Sequence, residues 1–79
     1  MSSLLNAAKY LAKEHGFAPI YLNEPMFPDP IVSAEQSSLF EALHILMCAD
    51  LELDPAYVSV RRVVDWVGVP AQRSMAAHA

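Results

Sequence analysis

Three side chains able to do chemistry fall at helical spacing in the middle of the chain: Glu41, His44 and Cys48. Residues three and four apart share one face of a helix, so a carboxylate, an imidazole and a thiol there offer either three metal-ligand atoms or a thiol beside a base. A structural zinc site wants four ligands, and the only other histidines, His15 and His78, lie far off in sequence. The same trio is accounted for as the polar edge of an otherwise buried helix, and Cys48 is then a packing residue. No glycine-rich phosphate loop, no Gly-x-Ser-x-Gly elbow and no His-Glu-x-x-His pair occurs, and two glycines cannot build a phosphate cradle. The sequence therefore predicts a binding protein with no catalytic residues, no metal and no cofactor.

The elements that must carry any site follow from caps and periodicity. Ser2 or Ser3 can cap a first helix over about 3–15, with Leu4, Ala8 and Leu11 flanked by Leu5 and Ala12 as its apolar stripe. Gly16 stops it, and Phe17 is placed for the hydrophobic contact that accompanies a glycine C-cap. Between 17 and 32, Pro19, Pro25, Pro28 and Pro30 remove amide donors and force extended backbone, yet the stretch keeps Ile20, Tyr21, Leu22, Met26, Phe27 and Ile31. It reads as an extended, proline-rich strap across the helices, in which Ile20 to Leu22 can form a short strand.

Ser33-Ala-Glu-Gln36 is a capping-box pattern that opens a second helix over about 33–50. Only Ser37, Glu41, His44 and Cys48 make a polar stripe on it; Leu39, Phe40, Ala42, Leu43, Ile45, Leu46, Met47 and Ala49 cover the rest, which makes it the expected structural centre. Asp54-Pro55 starts a third helix over about 55–67, with Ser59 as an alternative cap because Val58, Val60, Val63 and Val64 weaken the first turns. Gly68 and Pro70 end it, and the alanine-rich tail can form a short helix over about 71–78. The expected fold class is all-α: one domain, 1–79, of three or four helices.

Composition bounds the function. Hydrophobic residues make up 54% of the 79 and charged residues 18%, with a mean hydropathy of +0.25, so a domain too small to hide all its apolar surface is left with some to cover. Self-association, as a homodimer, or a foreign partner is the usual remedy. The longest apolar run, Ile45 to Ala49, is too short to span a bilayer, and a single cysteine excludes an internal disulfide; both point to a cytoplasmic protein with no membrane partner. Net charge is −4 but unevenly placed: residues 1–54 hold two lysines against eight carboxylates, while 55–79 hold three arginines against Asp65. That asymmetry suits head-to-tail contact between copies, or one basic face on an acidic body.

The run Val63, Val64, Val67, Gly68, Val69 and the tail after it resemble a bacterial helix-turn-helix, in which a helix ends at glycine plus an aliphatic residue and a second helix enters the major groove. The resemblance covers about the last quarter of the chain. It implies a dimeric DNA-binding regulator with Arg61, Arg62, Gln72, Arg73 and His78 against nucleic acid. Phosphate neutralisation needs several cations on one face, and an acidic body with three arginines supplies few. The first expectation is therefore a small regulatory, inhibitory or adaptor protein that acts by protein contact, with Tyr21, Met26, Phe27 and Trp66 as candidate anchors, since aromatic and methionine side chains dominate interface hot spots.

Overall fold

The computed structural model describes residues 3–21, 29–68 and 72–73. The chain is mainly helical. Helix α1 (Ser3–Glu14) buries Ala8 and Ala12, the centre of its expected stripe, and sets Lys13 in its last turn where a cation suits the helix dipole. Gly16 ends it at φ +63, with the Gly16 amide donating to Lys13 O and the Phe17 amide to Ala12 O at 2.8 Å. This pair of bonds is a Schellman motif, and Phe17, buried, makes its hydrophobic contact as expected.

Ile20–Tyr21 forms the short strand β1. Ile20 exchanges both backbone bonds with Ile31, at 3.0 and 2.7 Å, in an antiparallel bridge, while Pro19 and Pro30 are buried on either side. The other edge of β1 pairs in parallel with β2 (Gln72–Arg73), in the register Ile20 to Gln72 and Tyr21 to Arg73. Part of the expected strap, 22–28, lies outside the described residues, as does most of the expected tail helix over 71–78. Its two described residues correct that expectation: Gln72 and Arg73 are extended. The backbone groups of β1 offer Gln72 and Arg73 ladder partners in place of a helix.

The capping box is also corrected. Ser33 makes no side-chain cap bond, and Ala34–Gln36 winds as a 3-10 turn. The Gln36 amide instead donates its Nε2 proton to Gly16 O at 2.8 Å and accepts from the Ala18 amide at 3.2 Å. Gln36 thus satisfies polar backbone at the end of α1 rather than its own helix start, which brings the end of α1 beside the start of α2 (Ser37–Leu51). Helix α2 ends with Glu52 in the left-handed region at φ 53, its amide donating to Cys48 O.

Both start signals for the third helix are used, for different elements. Asp54 accepts from the Ala56 amide and caps a 3-10 turn at Pro55–Tyr57, and Ser59 accepts from the Arg62 amide and caps α3 (Val60–Val67). The extended backbone at Val58 between them is what its β-branched side chain favours. Val63, Val64 and Val67 are the buried face of α3, and Gly68 closes it at φ +83. The core joins these valines to Ala8, Ala12, Phe17, Leu43 and Met47, with Leu11, Leu39, Phe40, Leu46 and Trp66 packed around them. No helix among the described residues is long and apolar enough to cross a membrane.

Candidate protein-contact surface

Helix α2 supplies the core with Leu43 and Met47, but its surroundings do not close over it. Cys48, placed by the sequence on the polar stripe, is buried, while Ile45 is 62% exposed and Ala49 is exposed. The solvent stripe is therefore rotated to Ser38, Glu41, Ile45 and Ala49. An aromatic stack accompanies this orientation: Phe40 lies 6.3 Å from Phe17 and 5.7 Å from His44, whose ring is almost parallel to it. His44 is half-buried in that stack, and Glu41 is exposed. Among the described residues no group of three or more His, Cys, Asp or Glu could hold a metal ion.

Large apolar side chains are left in water at several further places. Tyr57 is 81% exposed on the turn before α3 and Tyr10 is 64% exposed on α1; Leu51, at the end of α2, is exposed too. Ile20 and Ile31 are 41% and 47% exposed, and as directly opposed residues of an antiparallel bridge they present their side chains together on one face. Sequence reasoning assigned none of these to an interface. Ile20 and Ile31 were legible only as apolar residues of a strap, and the signal for the others was composition: more apolar residues than a small domain can cover.

A groove of about 460 Å³ lies where the end of α1 meets the start of α2. Leu11, Leu39 and Ala42 make its apolar floor, and His15, Glu35, Gln36 and Ser38 its rim. It is formed because Gln36 holds the two helix ends together while Ala42 is too small to fill the space between them.

The sequence-derived candidates do not converge on one site. Tyr21 is half-buried in β1 with the Arg61 guanidinium 5.6 Å from its ring centroid, a cation–π contact that ties the strand to α3. Arg61 also lies 3.6 Å from Asp65 one turn on, so it serves internal contacts. Arg62 is exposed. Trp66 is half-buried against the core and covers it. Gln72 and Arg73 stand on β2, and Met26, Phe27 and His78 lie outside the described residues. Comparison with known proteins gives no match: no protein-family model fits the chain, and no curated relative or solved structure resembles it at a significant level.

Proposed function

We propose that this chain is a small regulatory, inhibitory or adaptor protein that works by protein–protein contact and self-associates. One observation carries the reading: among the described residues six large hydrophobic side chains stand exposed, two of them, Ile20 and Ile31, side by side. Stable monomers seldom leave contiguous apolar surface uncovered, and a partner is its usual cover. The extended backbone at Gln72–Arg73 supports this reading over DNA binding, because a helix-turn-helix reads bases from a helix that begins there.

Sedimentation velocity at micromolar concentration tests it. A dimer or larger species that Ile31→Glu returns to monomer is expected. A wild-type monomer that shifts genomic DNA fragments in a salt-sensitive way, with the shift abolished by Arg73→Glu, would overturn the reading in favour of nucleic acid.

A further inference from the structure

We infer that the turn after α2, residues 51–57, docks an arginine-bearing segment of a foreign protein, whose guanidinium stacks on Tyr57 and pairs with the carboxylates of Glu52 and Asp54. The inference rests on the protein-contact reading above and gives it a second surface, apart from Ile20 and Ile31, with a partner chemistry. Apolar exposure is the first argument. Tyr57, at 81%, is the most exposed large hydrophobic residue among those described, and Leu51 is 44% exposed. Both belong to one compact segment: the Leu53 amide donates to Cys48 O and the Tyr57 amide to Asp54 O, each at 3.0 Å. The second bond makes Asp54 and Tyr57 the two ends of a single turn, with Cα atoms within about 7 Å of each other. Leu53 packs against the core, while Glu52 and Asp54 on either side of it are exposed.

Charge selects the partner. Among the described residues neither Glu52 nor Asp54 takes part in an ion pair, and the one oxygen that Asp54 uses to cap the Ala56 amide leaves it acceptor capacity. The negative end of the α2 dipole opens onto the same turn, with no basic residue in the last turn of the helix. The molecule itself shows what completes such an arrangement. Arg61 lies 5.6 Å from the centroid of the Tyr21 ring and 3.6 Å from Asp65, one guanidinium serving a phenol ring and a carboxylate. The turn offers the same two halves, Tyr57 and its neighbouring carboxylates, with no cation on either among the described residues. Arginine suits both at once, because its planar group stacks on an aromatic face and forks to a carboxylate. A second copy fits poorly: each copy carries a net charge of −4, and its Arg61 is already engaged. A contact from the exposed Arg62 of another copy onto this turn would be head-to-tail, which does not close as a two-fold dimer does.

The test uses the full chain, isotopically labelled, and three short synthetic peptides that differ only in two central positions beside a leucine, filled by arginine, lysine or glutamate. The arginine peptide should shift the amide resonances of Leu51, Glu52 and Tyr57 and bind about threefold more tightly than the lysine peptide, while the glutamate peptide should not bind. Tyr57→Ala, at an exposed position that leaves the core alone, should weaken the arginine peptide about fivefold, and Glu52→Gln about threefold, with circular dichroism unchanged. Equal binding of the arginine peptide and either other peptide, resonance shifts confined to other surfaces, or an unchanged affinity in folded Tyr57→Ala overturns the inference. So does self-association that Tyr57→Ala abolishes, which would make the occupant a second copy. If the wild-type chain self-associates but the arginine peptide does not bind at this turn, the inference falls and the protein-contact reading stands. A wild-type chain that neither self-associates nor binds any of the peptides sinks both.

Discussion

Of helices α2 and α3, α2 is the more apolar along its length, yet α3 buries its apolar face more completely. In α3 the apolar residues fall on one side, Val63, Val64 and Val67, and all three are buried, while Arg62 and Asp65 face water. In α2 they fall all round, so no orientation hides them: Leu43 and Met47 enter the core and Ile45 stays out. A one-sided helix needs only the core it packs against. A helix apolar on every side needs a second neighbour, and the described part of this chain leaves one side of α2 without it.

The contrast can be broken first within α2 itself. Leu43→Ala should cost about 2 to 5 kcal/mol in chemical denaturation, enough to unfold a marginal small domain, whereas Ile45→Ala should cost well under about 1 kcal/mol. Equal losses at the two sites would mean that Ile45 is covered in the folded state and that the asymmetry between the faces is absent. On α3, Val63→Ala should cost about 2 kcal/mol, because two buried methyl groups are lost from a fully enclosed site. A negligible change there would show that α3 is held by something other than its valine face.

The helix ends sharpen the comparison at smaller magnitude. Ser59→Ala removes the side-chain cap of α3 and should lower stability by about 1 kcal/mol. Glu52→Gly at the end of α2 should raise it by about 0.5 to 1 kcal/mol, since a glycine relieves the left-handed backbone at φ 53. A loss on Glu52→Gly would show that the glutamate side chain contributes more than its backbone strain costs. The smallest effect belongs to Asp65→Asn: its pairing with Arg61 is solvent-exposed, and thermal denaturation should register less than about 0.5 kcal/mol.

Gly16 after an amphipathic run and Ser59 before the valines of α3 gave the Schellman stop and the capped helix expected of them, whereas Asp54-Pro55, read as a helix start, caps only a 3-10 turn and leaves the helix to begin after Ser59. The buried faces of α1 and α3 were legible for the same reason, since periodicity reports one neighbour well. Gln36 was misread because a side-chain amide can satisfy any nearby backbone group, and the groups at Gly16 and Ala18, twenty and eighteen residues away, are nearer in space than in sequence. The candidate groove inherited that failure, because Gln36, one of its lining residues, is placed by these long-range bonds.

What the sequence by itself determined is therefore three helices, where they stop, and that the chain is rich in apolar residues for its length. The tertiary structure alone decided which apolar residues stay in water. Helix α2 has no polar stripe strong enough to choose its own orientation, and in the folded chain Phe40 stacks between Phe17 and His44 while Cys48 is buried and Ile45 stays outside. It also decided that Gln72–Arg73 lies beside Ile20–Tyr21, since strand pairing depends on where two distant segments meet and not on what either segment prefers alone.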